Sequence, residues 1–175
     1  TFARRQTPDQ RDAISLHELV RDTLVLTQML WQRDRIEVRT TVAATLPAVR
    51  CNRAHIQQVV LNLLSNARDA LCERSIAANH KTIVISACEL RGRAGDWLRL
   101  SVTDNGAGIP AAILAHVCDP FFTTKSRNDA TGLGLAIAYG IIKDHHGRLS
   151  FDSEPGRGTS VHVDLPLSAA PPAAG

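Results

Sequence analysis

At 175 residues, 44% hydrophobic and 21% charged, the chain is long enough for one well-filled core and has the balance of an ordinary soluble globular domain. Its net charge of +3 is scattered among acidic residues instead of forming a basic stripe, which argues against nucleic acid as a partner. No apolar run approaches the ~18 residues of a membrane span, so this stretch is expected to be cytoplasmic and to make no membrane contact. The start at Thr1-Phe2 without Met reads as a piece cut from something longer, whose remainder would hold any membrane anchor. Cys51, Cys72, Cys88 and Cys118 are too far apart for a CxxC zinc signature and read as buried reduced thiols.

Residues 1–14 are polar and interrupted by Pro8, and read as a linker or the end of a preceding helix. Ser15-Leu16-His17-Glu18 then has the Ser-x-x-Glu spacing of a capping box, opening a helix from 16 to about 32 with Leu16, Val20, Leu24 and Trp31 among its apolar positions. Ile36, Val38, Thr40 and Val42 alternate with polar residues, the period of a half-buried strand that Pro47 closes. Val49-Arg50-Cys51 is a candidate short strand. The clearest helix runs from Arg53 to about Cys72: Ile56, Val59, Val60, Leu63, Leu64, Ala67 and Leu71 recur at three and four and form one apolar stripe. Asn62, Asn66 and Asp69 step along another side of it.

Thr82 to Cys88 and Trp97 to Thr103 read as a hairpin, with Leu98, Leu100 and Val102 on one face; Asp104 continues that parity, so its carboxylate is delivered to the covered side of the sheet. Asn105-Gly106-Ala107-Gly108 follows, then Pro110 at the start of a short helix to about Val117. Residues 118–131 show no periodicity and read as a mobile loop. Gly132 begins a helix carrying Leu133, Ile137, Ile141 and Ile142; His145-His146 favour its negative pole, and Gly147 stops it. Arg148 to Ser153 and Thr159 to Leu165 read as strands joined by a Pro155-Gly156 turn, and 167–175 as a disordered tail. Strands paired mostly with their neighbours, plus three main helices, predict a two-layer α/β sandwich over 15–166.

Two glycine clusters bracket an aromatic and basic loop, an arrangement suited to folding around one ligand. Asp104 with Gly106 and Gly108 suits acceptance of a hydrogen bond from an exocyclic amine beside a planar ring, and equally suits a plain Asn-Gly turn. Gly132-Leu133-Gly134 at a helix start offers free amides to phosphate, or merely helix packing. It is neither a Rossmann fingerprint, since Ile137 stands where the third Gly belongs, nor a P-loop. Asn62, Asn66 and Asp69 offer hard oxygen ligands to Mg²⁺, or form an ordinary exposed helix face. Phe121-Phe122-Thr123-Thr124-Lys125 suggests a lid whose aromatics dock while Lys125 or Arg127 neutralises a phosphate, or else a loop pinned by two core aromatics.

Together these segments resemble one family. Gln58 through Ala70 resembles the N box of sensor histidine kinases, Asp104-Asn105-Gly106-Ala107-Gly108-Ile109 their first glycine box, Asp119 through Lys125 the F box, and Thr131-Gly132-Leu133-Gly134-Leu135 the second glycine box. The PFFTTK form is similar to the nitrogen-regulation and oxygen-sensing branch. The resemblance implies the GHKL-type ATP-binding fold, with ATP and Mg²⁺ as cofactors. It implies that Asn66 coordinates the metal with Asn62 assisting, that Asp104 binds the adenine amine, and that Lys125 reaches the γ-phosphate. Gly106, Gly108, Ile109, Asp69, Phe122, Thr123, Thr124, Thr131, Gly132, Leu133, Gly134, Leu135 and Thr159 would complete the nucleotide site. Its implied partners are ATP, its own dimerisation and phosphoacceptor domain outside this stretch, and indirectly a response regulator.

Two positions depart from the pattern: Ala130, where a third glycine often precedes the second box, and Asp69, where some relatives carry Lys. His17-Glu18 imitates a phosphoacceptor start, but Leu19-Val20-Arg21-Asp22 follows without the Pro of that motif, so His17 reads as structural. Two rivals remain: a hydrolytic ATPase of the gyrase or chaperone kind, which needs a Glu where Asn62 stands, and a nucleotide-binding module without transfer activity.

Overall fold

The computed structural model describes residues 10–73, 80–92, 95–120 and 133–167. In chain order these form β1 (Asp12–Ile14), α1 (Leu16–Asp34), β2 (Glu37–Thr41), β3 (Val49–Cys51), α2 (Arg53–Glu73), β4 (Thr82–Leu90), β5 (Trp97–Asp104), α3 (Ala111–Leu114), α4 (Gly134–Asp144), β6 (Arg148–Glu154) and β7 (Gly158–Pro166).

Five strands make one mixed sheet in the order β2-β4-β5-β7-β6; β2 runs parallel to β4, and the other neighbours are antiparallel. The two-layer α/β expectation holds. Pairing with the sequence neighbour holds for β4–β5 and β6–β7, whereas β5 lies against β7, so the last strand returns to the middle of the sheet. Residues 12–14, expected in a linker or the end of a preceding helix, pair antiparallel with β3 instead. The chain thus enters α1 already tied to the start of α2.

Local chemistry explains the helix ends. The Glu18 amide donates to Ser15 Oγ at 3.4 Å, as the capping-box spacing predicts. α1 closes with Arg35 in the left-handed region (φ 54°), its amide on Gln32 O and the Ile36 amide on Trp31 O, while the apolar Ile36 and Trp31 are both buried. α2 starts on Asn52, whose Oδ1 accepts from the His55 amide. At the end of α4 the left-handed residue is His146 (φ 56°), one before the glycine expected to stop the helix. His145 is buried rather than a charged cap: Nδ1–H donates to Ile141 O at 2.7 Å and Nε2 accepts from the Asn52 amide at 3.1 Å. Burial holds its pKa below the ordinary value. This neutral ring joins the end of α4 to the start of α2.

The core lies between the helices and one face of the sheet. Ile56, Val59, Val60, Leu63, Leu64 and Leu71 of α2 are at most 1% exposed, each contributing about 2 kcal/mol by burial, and they meet Ile83, Ile85, Leu98, Leu100, Val163 and Leu165 from the strands. α4 rests on α2 through Ala138 and Ile142; Ile137, expected inside, is 39% exposed. Arg68 of α2 donates to Asp34 at the end of α1 and holds that carboxyl below its ordinary pKa. The thiols divide: Cys51 is buried and Cys118 half-buried, but Cys72 and Cys88 are exposed, correcting the expectation that all four are inside. Each of those two sits near the end of its element. His17 is structural, as expected, with Nδ1–H donating to Val42 O at 2.7 Å.

Candidate functional site

β5 places Asp104 as its parity predicted. Leu98, Leu100, Val102 and Asp104 are all buried, and the carboxylate is 6% exposed at the strand's end. Its Oδ1 accepts from the Gly106 amide at 2.8 Å, and the Thr159 amide also donates to it. Desolvation nonetheless dominates and pushes the carboxyl up to about 6, the two amides pulling the other way. A buried acceptor this strong at neutral pH suits a ligand that donates N–H and leaves the charge little else to neutralise it.

The first glycine box is pressed against the N-box helix. A Cβ on Gly106 would lie 2.7 Å from the carbonyl carbon of Ala70, so only glycine permits this approach, and the Ala107 amide donates to Ala70 O at 3.2 Å. Gly108 adopts φ +73° against the backbone of Glu154, and the Gly156 amide donates to Ala107 O at 2.7 Å. Asn105 fastens the other flank, its Oδ1 accepting from the Thr82 amide and its Nδ2 donating to His80 O. Pro110 precedes α3 as its capping residue rather than occupying its first turn, and the helix is one turn long, ending before Val117. The Pro110 carbonyl accepts from the Ile113 and Leu114 amides, after which turns replace the helix.

The second glycine box meets the same helix eight residues earlier. Asn62 Nδ2 donates to Gly134 O at 2.9 Å, fixing the first residue of α4 to the polar side of α2. Leu133 stands at the N-cap of α4 without a side-chain cap, and Leu135 packs partly into the core. Asn66 lies one turn beyond Asn62, half-buried, and its Nδ2 is a buried polar atom with no hydrogen-bond partner among the described residues. Asp69, one turn further, is half-buried and engaged in an interaction. Phe122, Thr123, Thr124, Lys125, Thr131 and Gly132 lie outside the described residues, as does the rest of the expected lid from 121.

Thr159, at the start of β7, is buried beside Asp104, with its Oγ1 2.8 Å from Ser153 Oγ. Ser153 escaped the reading of the sequence; a lone Ser at the end of a strand carries no local signal, and its partners are 44 residues back and five or six ahead. A groove of about 450 Å³ along the β6–β7 turn is lined in part by Asp104, Ser153, Gly158 and Thr159. Larger hollows beside Trp31 (460 Å³) and His145 (580 Å³) touch none of the boxes.

The open face of the sheet carries Ser101, His162 and Asp152 in a row, with Oγ to Nδ1 at 2.7 Å and Nε2 to the carboxylate at 3.0 Å. The order imitates a hydrolytic triad. Ser101, however, sits mid-strand between β4 and β7, where the ladders engage the backbone amides that an oxyanion would need. The row is a cross-strand polar ladder beside Arg99–Asp164 and Thr103–Ser160.

Residues 51–169 match the family model described as histidine kinase-, DNA gyrase B- and HSP90-like ATPase. Among relatives, the sensor kinase CckA of Brucella abortus is 37% identical over 94% of this chain and 18% of its own length. The sensory histidine kinase/phosphatase NtrB of Rhizobium leguminosarum is 35% identical over 93% of this chain and 43% of its own. This chain therefore spans less than half of either. The nucleotide-free catalytic domain of the histidine kinase ThkA superposes with a TM-score of 0.74 at 29% identity, covering 90% of this chain and 95% of that one. ThkA in complex with the response regulator TrrA gives 0.71 at 26% identity, over 90% and 42%. With its two glycine boxes anchored on one asparagine-bearing helix, the chain belongs to the histidine kinase-, DNA gyrase B- and HSP90-like ATPase family, as a GHKL ATP-binding domain of the sensor histidine kinase type.

Proposed function

We propose that this chain binds Mg-ATP and presents its γ-phosphate to a histidine on a separate dimerisation domain. The observation that carries the proposal is the double anchoring on α2: Ala70 receives the first glycine box and Asn62 the second. One helix thereby fixes Asp104, the acceptor for an adenine amine, relative to the start of α4, whose dipole favours phosphate.

The residues present fit a hard cation. Asn66 has a buried amide nitrogen without a partner among the described residues; a phosphate oxygen would satisfy that NH₂ and leave the side-chain carbonyl oxygen as the group that would ligate a cation. Asn66 would hold the Mg²⁺, with Asp69 nearby on the same helix side. When bound, the ion neutralises charge on the phosphate oxygens. The chain's own task is positioning: Asp104 orients the base, α4 covers the phosphates, and Asn62 keeps α4 on α2. Lys125, with Thr123, Thr124, Phe122, Thr131 and Gly132 of the lid, supplies the closing contacts and positive charge in this reading.

Phosphoryl transfer to an imidazole requires no base to activate water. The Asn62 amide, with an N–H committed to Gly134 O, does not accept a proton near neutral pH, which disfavours the hydrolytic reading. The relatives' names support transfer over a binding module without activity, and the response regulator TrrA bound to ThkA supports such a regulator as the downstream partner. No described helix is long and apolar enough to cross a membrane; we place this part in the cytoplasm beside its ATP. The expected behaviour is Mg-dependent ATP binding with negligible steady hydrolysis by the isolated chain. Calorimetry and a phosphate-release assay test both halves; steady hydrolysis abolished by Asn62→Ala would overturn the transfer reading in favour of a hydrolase.

A further inference from the structure

Three segments that are distant in sequence meet at one hydroxyl. The Ile109 amide of the first glycine box donates to Ser153 Oγ at 2.7 Å, Ser153 donates to Gly158 O at 3.0 Å, and the Thr159 hydroxyl lies 2.8 Å away. One proton given and two received satisfy this oxygen completely. Thr159 in turn directs its backbone amide at the Asp104 carboxylate, and Gly158 lies against the Asp104 backbone. Ser153 is therefore one step from Asp104 on two sides: through Ile109 to the loop that follows the carboxylate, and through Gly158 and Thr159 to the strand that pairs with it.

We infer that Ser153 is a positioning residue for nucleotide selection, holding the first glycine box and the β6–β7 turn at the spacing that aims Asp104 at a purine amine. The inference rests on the ATP-binding reading. Adenine offers an amine where guanine offers a carbonyl, so a carboxylate held in place accepts from the first and repels the second. Loss of the Ser153 hydroxyl removes the acceptor for Ile109 N–H and lets the two loops separate, while other bonds keep the fold: Gly156 N–H to Ala107 O, Arg157 N–H to Glu154 O, and the β6–β7 ladder.

The test measures Kd for ATP and GTP with wild type, Ser153→Ala and Ser153→Thr, alongside thermal melts. Ser153→Ala is expected to weaken ATP about tenfold, as for a lost hydrogen bond that leaves a partner unsatisfied. It also narrows the ATP-over-GTP ratio, and Ser153→Thr restores both. A purely structural role would lower the melting temperature without changing that ratio. If Ser153→Ala fails to fold, Ser153→Cys, of similar size with only a weak donor and acceptor, carries the same prediction. Wild type that does not bind ATP overturns the nucleotide reading itself. Wild type that binds ATP, with an alanine or cysteine variant keeping its affinity and its ratio, overturns the role of Ser153 alone.

Discussion

Replacing Asp104 with Asn separates the cost of burying a carboxylate from its use. The folded-state pKa of about 6 stands above the ordinary value of 3.8, because burial disfavours the charge more than the Gly106 and Thr159 amides favour it. The native protein therefore holds a proton that the unfolded chain releases between pH 4 and 6. The stabilisation associated with that proton is fully present below about 3.8 and lost as pH rises through about 6. A displacement of roughly two units corresponds to about 3 kcal/mol at its full extent. Asn keeps an oxygen for one of the two amides and carries no charge, so the stability of Asp104→Asn relative to wild type rises by up to about 3 kcal/mol between pH 4 and 7. Urea unfolding of both proteins across that range reads the difference directly. The same substitution abolishes the preference for an adenine amine, and the wild-type to variant ratio of ATP affinities climbs through pH 6, since phosphate protonation is common to both and cancels. A stability difference that stays flat from pH 4 to 8 would refute the raised pKa.

Other consequences are more local. Gly106→Ala drives a methyl into the Ala70 backbone and should destabilise by about 1–3 kcal/mol, with ATP binding lost before the fold is. Asn62→Ala unfastens Gly134 and should lower stability by about 1 kcal/mol while weakening ATP; an unchanged affinity would show that α4 holds its place without this bond. Under native conditions a thiol reagent should label exposed Cys72 and Cys88 quickly and half-buried Cys118 slowly. Cys51, its thiol pushed up to about 12 by burial, should react only on unfolding.

The parts of the fold readable from sequence are those with dense local periodicity. The three-and-four spacing of Ile56 through Leu71 defines α2, and the alternation from Leu98 to Val102 places Asp104 on the covered side. β1 escaped because three residues hold too little period, and its partner β3 lies 35 or more residues away. The Asn62–Gly134 bond spans 72 positions and the Ile109–Ser153 bond 44, so no local pattern records either, although both organise the site. Asn62 is the instructive case. Its polar helix position suggested an oxygen for a metal; the described geometry adds a bond that no local pattern announces, with Nδ2 holding the second glycine box. His145 differs for a related reason: burial, invisible in the His-His pair itself, turns an expected cation into a neutral connector.

The most direct measurement of the central claim is transfer of label from γ-labelled ATP to a dimerisation domain carrying its histidine, with this chain as the only source of kinase. The account predicts Mg-dependent, acid-labile labelling of that domain, reduced at least tenfold by Asn66→Ala and by Asp104→Ala. Labelling that is absent although ATP binds, or that neither substitution affects, would contradict it.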